Sequence, residues 1–218
     1  YSTAETVIFQ QALTAKGLKP VTVQRTQLND QDFQSQITAA LNQKPDLVVL
    51  SLQAMDGGNL IRQLRELGYR GAIVVGNGMN TPNIYPICQK YCDGILIAQA
   101  YSPELATPAN QRFTAAFAAA QARNPKVSPI PPQLTAQAYT AMQVIGEALA
   151  RLDRSQPLKG LSVSQARQAL MAEILGGTYQ TPLGEIRFTP EGEVIQKNFF
   201  VAQVRMNAGG KSGRFSLL

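Results

Sequence analysis

An α/β fold with a parallel, doubly wound sheet is what this sequence predicts for its first hundred residues, and three observations carry that expectation. Short apolar runs, Leu47–Leu50 and Ala72–Val75 among them, recur at intervals of about 25 residues. Between them lie segments whose apolar residues repeat at three and four, the spacing of one helical face. Glycine or proline marks each change of period. Strands that alternate with helices in this way build parallel sheets with helices on both faces.

The elements follow in order. Ala4, Val7, Ile8, Ala12 and Ala15 predict an opening helix that Gly17 ends. Val21 and Val23 predict a strand, and Asn29 or Asp30 is placed to cap a helix with Phe33, Ile37, Ala40 and Leu41 inward. Leu47–Leu50 is continuously apolar, the mark of a strand buried on both faces. Asp56 is expected to cap a third helix with Leu60, Ile61, Leu64 and Leu67 inward, closed by Gly68. Ala72–Val75 predicts a strand ending at Gly76, Asn77 and Gly78; a short helix follows Pro82, and residues 94–98 form the next strand. No strand precedes the opening helix. In an open sheet of flavodoxin-like order the first strand lies inside the sheet, so one is expected before Tyr1, from a longer polypeptide or another chain.

Beyond Tyr101 the texture changes. Residues 102–108 read as a linker and 110–123 as an alanine-rich helix, and the four prolines of 125–132 exclude helix at the C-terminal end of that stretch. Leu134, Ala138, Ala141, Met142, Ile145, Ala148, Leu149 and Leu152 then predict a long helix with these residues as its buried stripe. A further helix is expected over 162–175. Two strands, 185–188 and 198–206, are expected to be joined by a turn at Pro190, Glu191 and Gly192, with 207–214 a mobile tail.

Composition narrows the chemistry. There is no histidine in 218 residues, which removes the commonest general base and metal ligand. The net charge is +6, but the 20 basic residues are scattered rather than clustered. That pattern is a solvated basic surface and argues against nucleic acid as a partner. No metal site, cofactor or catalytic residue is expected. The two cysteines, Cys88 and Cys92, are too few for a zinc site and one residue too far apart for a redox CxxC pair. They are either a local disulfide, which requires the helix to end or distort there, or two free thiols.

Gly76, Asn77 and Gly78 lack the third glycine of a dinucleotide fingerprint, since Thr81 stands in its place. They still lie at the carboxyl end of a strand, where open α/β sheets bind ligands. Asn77 offers a donor and an acceptor there. Ser51 and Gln53 occupy the equivalent place one strand over, so two polar loops at one sheet edge form a candidate small-molecule site. Each is otherwise a plain βα turn. Gly209, Gly210, Lys211 and Ser212 have no helix after them and are not a phosphate loop.

The stretch PDLVVLSLQAMDGGNLIRQLRELGYRGAIVVGNGMNTP, residues 45–82, resembles the second lobe of the branched-chain amino-acid binding proteins of ABC transporters. TPLGEIRFTPEGEVIQKNFFVAQV, residues 181–204, is similar to the closing segment of the same type I periplasmic binding protein family. The resemblance implies a two-lobed protein lacking its N-terminal part here. On it, residues 1–102 form second-lobe βα repeats, 103–182 a helical segment of the first lobe, and 183–218 strands returning to the second. It implies an extracytoplasmic, periplasmic or cell-surface, solute-binding component of an ABC importer, not an enzyme. Its partners are then an amino acid or similar small polar solute in an interlobe cleft and a membrane permease. The alternative is a ligand-sensing receptor domain of the same fold. Position by position, the family's ligand contacts fall on Tyr1, Gln53, Asn77 and Leu134. The family's acidic residue for the ligand ammonium is Asn77 here, which puts an amino-acid ligand in question and leaves an amide, a neutral solute or a second carboxylate such as Asp56 as ways to fit.

Overall fold

The computed structural model describes residues 2–124, 130–156 and 158–218, so the proline-rich stretch over 125–129 and Tyr1 lie outside the described residues. The chain forms two compact units, residues 1–99 with 200–218, and residues 100–199.

The first unit contains helices α1 (Ser2–Ala15), α2 (Gln34–Leu41), α3 (Ala54–Glu66) and α4 (Tyr85–Cys88) and strands β1 (Leu47–Leu50), β2 (Ala72–Val75), β3 (Leu96–Gln99), β7 (Phe200–Met206) and β8 (Gly213–Leu217). The sheet order is β1-β2-β3-β7-β8. The first three strands are parallel, while β7 runs antiparallel to β3 and β8 antiparallel to β7. The sheet is therefore mixed rather than wholly parallel, because a hairpin closes it on the β3 side. Residues 207–212 are the turn of that hairpin, Asn207 donating to the Ser212 carbonyl at 2.9 Å, so the expected mobile tail is a paired strand.

Leu60, Ile61 and Leu64 of α3 meet Phe33, Ile37, Ile73, Val75, Ile95 and Ile97 in one core. Each such side chain removed from water contributes about 1.5–3 kcal/mol. Two expectations about this unit fail for a shared reason. Val21 and Val23 are 63% and 50% exposed and form no strand, and Leu47 of β1 is 41% exposed rather than covered on both faces. A β-branched pair becomes a strand only with a ladder partner, and β1 has β2 alone beside it.

The caps also differ. Helix α2 begins after Phe33, with Asp32 accepting from the Gln34 N–H at 2.9 Å, while Asp30 turns back to the Gln27 N–H. Helix α3 begins at Ala54 with Gln53 at its N-cap, so Asp56 lies inside the first turn, and Leu67 is 46% exposed. Gln63 of α3 holds the loop before α2 with both ends of its amide: Oε1 accepts from the Phe33 N–H at 2.9 Å and Nε2 donates to the Gln31 carbonyl at 2.7 Å.

The second unit contains α5 (Pro108–Gln121), α6 (Gln133–Ser155), α7 (Val163–Leu175) and a meander of β4 (Tyr179–Thr181), β5 (Gly184–Phe188) and β6 (Val194–Gln196). Ser162 and Gln165 form a capping box on α7. The turn through Gly192, whose φ of 90° suits glycine, joins β5 to β6 rather than to β7. The buried stripe of α6 is Gln133, Ala136, Thr140, Val144, Ala148 and Leu152. Of the residues expected on this face, Ala148 and Leu152 are buried, but Leu134, Met142 and Ile145 are 64%, 69% and 37% exposed, so only part of the expected face packs inward. Gln133 and Thr140 hide the true stripe from a hydropathy reading.

Tyr179 anchors this unit. Its hydroxyl donates toward the Glu173 and Ile174 carbonyls, 3.1 Å each, and accepts from Arg151 at 2.8 Å. Arg151 also pairs with Glu173 at 3.3 Å, which ties α6, α7 and β4 together. Gln196 acts similarly at the unit's margin, its Nε2 facing the carbonyls of Ala100 at 2.5 Å, Asn198 at 2.7 Å and Leu183 at 3.3 Å. The Ala100 N–H donates to Gln133 Oε1 at 2.7 Å.

Candidate functional site

Strands β1 and β2 pair in register, Leu50 opposite Val75, so their carboxyl ends reach the same edge. The Gly76 N–H donates to the Leu50 carbonyl at 2.8 Å and carries the ladder one residue further. The loops at 51–53 and 76–78 thus leave the sheet side by side, at the edge where open α/β sheets present ligand groups.

Gln53 is exposed and occupies the N-cap of α3 in extended conformation. Its carbonyl takes the Gly57 N–H at 2.8 Å, and its side chain makes no cap bond. Asn77 is exposed and opens a 3-10 turn over Asn77–Met79. Beneath that turn the buried Asn80 accepts at Oδ1 from Gln99 Nε2 at 3.1 Å. This amide pair ties the loop after β2 to the end of β3. Burying both amides together satisfies groups that would be costly alone.

Sequence reasoning missed Glu5. It projects from the first turn of α1, and its Oε1 accepts the Asn77 backbone N–H at 2.8 Å. Gly76 makes the approach possible. Its φ of −78° and ψ of 175° suit any residue, but a Cβ there would coincide with the Glu5 carboxylate. The sequence shows only a glycine at the end of a strand, which identifies no partner by itself.

Asp56 is 4% exposed and accepts the Asn29 N–H at 3.4 Å. In the first turn of α3 it also faces the positive end of the helix. It lines a polar groove of about 300 Å³ with Asn29, Asp30, Asn59 and Arg62. An open, mostly apolar groove of about 400 Å³ lies in the second unit between α6 and the meander. Neither is lined by Gln53, Asn77 or Leu134. The strand-end loops are the stronger candidate, because their position follows from the sheet topology. Leu134 belongs to the second unit, and Tyr1 lies outside the described residues, so only Gln53 and Asn77 are seen at one sheet edge.

Cys88 and Cys92, both buried, are joined by a disulfide, and the helix breaks between them at Gln89, whose φ is 50°. Among the described residues no three His, Cys, Asp or Glu side chains could hold a metal ion, and no helix is long and apolar enough to cross a membrane.

Residues 3–211 match the sequence profile of the periplasmic binding protein family. The Leu/Ile/Val-binding protein BraC3 of Rhizobium johnstonii is 25% identical over 191 residues, 88% of this chain and 48% of that protein. The leucine-binding protein LivK of Thermotoga maritima superposes with a TM-score of 0.77 at 24% identity, over 97% of this chain and 55% of its own. A Rhodopseudomonas palustris solute-binding protein of an ABC transporter, solved with benzoate, gives 0.71 at 19%, over 96% and 53%. The chain spans about half the length of the relatives it matches.

Proposed function

The chain belongs to the periplasmic binding protein family, and on that premise we propose that it is part of an extracytoplasmic receptor that delivers a small polar solute to an ABC importer. One observation supports the reading most: two polar loops emerge together at the carboxyl ends of the paired strands β1 and β2. Gln53 and Asn77 contact the solute in this proposal, with donors and acceptors but no charge of their own. Tyr1 and Leu134 join them by resemblance alone. The first unit is assigned to the second lobe, and residues 100–199 to the segment that returns to the first lobe. The membrane permease is the macromolecular partner, and the protein binds without chemical conversion.

The solute's class follows from a screen of the intact protein by thermal unfolding. The panel holds amino acids, their amides and small carboxylates, including benzoate, which the Rhodopseudomonas protein holds. A solute present at 100 times its Kd stabilises by about 2.7 kcal/mol. Asn77→Ala and Gln53→Ala are expected to weaken the solute that scores. Unchanged affinity in both variants removes these loops from the site.

A further inference from the structure

We propose that the disulfide between Cys88 and Cys92 is a redox latch on the β7–β8 hairpin: residues 85–94 and 200–217 open as one unit, and the bond sets how often they do. The inference stands apart from the solute-binding reading and needs no ligand.

The segment around the disulfide has little stability of its own. Helix α4 is a single turn of four residues, and a 3-10 turn over Gln89–Cys92 follows it. Helices this short do not hold in water without tertiary support. Where the two meet, Gln89 has a φ of 50° and a ψ of −141°, which side chains other than glycine seldom adopt. Such a conformation persists only where its surroundings impose it. The disulfide joins the residues that bracket this break.

The same segment seats the hairpin. Phe215 of β8 lies against Tyr85 of α4, their ring centres 5.5 Å apart. Asp93 Oδ1 accepts the Met206 N–H at 2.8 Å, and Gln203 Nε2 donates to the Gly94 carbonyl at 3.2 Å. The Gly94 N–H donates to the Val204 carbonyl and the Val204 N–H to the Ile95 carbonyl, 2.9 Å each. In the hairpin turn Gly210 passes so close to Lys90 that a Cβ on it would stand 3.5 Å from the Lys90 nitrogen. Both strands and the turn therefore rest on residues 85–95, and the seat keeps its shape only while the break at Gln89 is held.

Both cysteines are buried, so a reductant reaches them only when the segment opens. A dithiol then reduces the bond in two steps. One of its thiolates attacks a cysteine sulfur to form a mixed disulfide, and its second thiolate displaces that cysteine. Two electrons pass to the cysteines, which leave as thiols, and the reductant leaves as a cyclic disulfide. The coupling is reciprocal. A bond that favours the docked hairpin is itself protected by the docked hairpin.

The test follows hydrogen exchange by mass spectrometry in the intact protein. It compares the oxidised wild type with the wild type reduced by dithiothreitol and with two cysteine-free variants, Cys88→Ser/Cys92→Ser and Cys88→Ala/Cys92→Ala. Exchange over residues 200–217 is expected to rise about tenfold or more once the ring is open. Residues 34–50, at the far side of the sheet, are expected to be unchanged. Gln89→Gly, added to the double-serine variant, should restore part of the protection, because glycine takes a positive φ without steric cost. In the reciprocal arm, Phe215→Ala should let dithiothreitol reduce the native disulfide about tenfold faster. Unchanged exchange over 200–217 in the reduced and cysteine-free proteins overturns the inference. An equal rise over 34–50 overturns it too, since the bond then stabilises the whole unit, and unfolding of all three disulfide-free forms counts the same way. An unchanged reduction rate in Phe215→Ala removes the coupling.

Discussion

Replacing Gln196 with methionine keeps most of the side chain's volume and removes the amide that faces three carbonyls at the margin of the second unit. An amide nitrogen has two hydrogens, so the three contacts amount to two full hydrogen bonds. Each contributes about 1 kcal/mol net, and an orphaned buried acceptor costs about 1–3 kcal/mol. Gln196 is only part-buried, so water can replace some of the loss. The expected destabilisation is about 2 kcal/mol. Urea unfolding of the intact protein, with hydrogen exchange followed over residues 177–199, measures it. Gln196→Glu provides a check on sign. Its carboxylate turns negative charge toward carbonyl oxygens and should destabilise more at neutral pH, then recover in part as acid restores a donor. A loss below about 0.5 kcal/mol in Gln196→Met, the range of ordinary surface changes, would show that the three contacts contribute nothing and refute the reasoning.

Other consequences can be measured independently. Gln63→Leu removes both bonds to the loop before α2 and should cost about 1–2 kcal/mol, with faster exchange of the Phe33 amide; unchanged exchange there removes the clamp. Burial raises the phenols of Tyr85 and Tyr101 above the ordinary tyrosine range. Stability from them is full below about pH 10, where the unfolded chain's tyrosines ionise, and falls as pH rises beyond it. Phenolate absorbance should show these two ionising only as the protein unfolds, and Tyr85→Phe, which deletes a buried hydroxyl with no hydrogen-bond partner among the described residues, should soften the alkaline slope without loss at neutral pH. A denaturing, non-reducing thiol count is expected to find no free cysteine, and Cys88→Ser with Cys92→Ser to cost about 2 kcal/mol from loop-closure entropy over so short a ring; two reactive thiols would contradict the pairing.

How far the sequence could be read depended on whether a feature was local. Helix α3 and strands β1 and β2 were legible because their periodicity and their glycine stops lie within a few residues. The edge shared by Gln53 and Asn77 followed, since consecutive parallel strands end together. What depended on distant partners was hidden. Strand β7 pairs with β3 from a hundred residues away; its own residue pattern does not announce that partner, and only the resemblance of residues 181–204 to a closing segment returned it to the opening βα repeats. The stripe of α6 was read correctly only at Ala148 and Leu152, because Gln133 and Thr140 are buried there with polar groups, while Leu134 and Met142 stand outside. Val21 and Val23 had the right residue types for a strand, but pairing is decided by a neighbour, not by propensity. Glu5 could not be connected to Asn77, because a contact 72 residues long leaves no periodic trace.

The pairing of β3 with β7 has a bearing on biosynthesis. Residues 96–99 must wait for residues 200–203 before that flank of the sheet is covered. At ribosomal speeds of about 5–20 residues per second, the delay is about 5–20 s. Throughout it the nascent sheet displays an open backbone edge beside Ile95 and Ile97, which the finished protein hides completely. Residues 100–199, the unit inserted between those strands, are synthesised during that interval. The connectivity thus sets an order: the interrupted unit closes its sheet only after the inserted unit has been made.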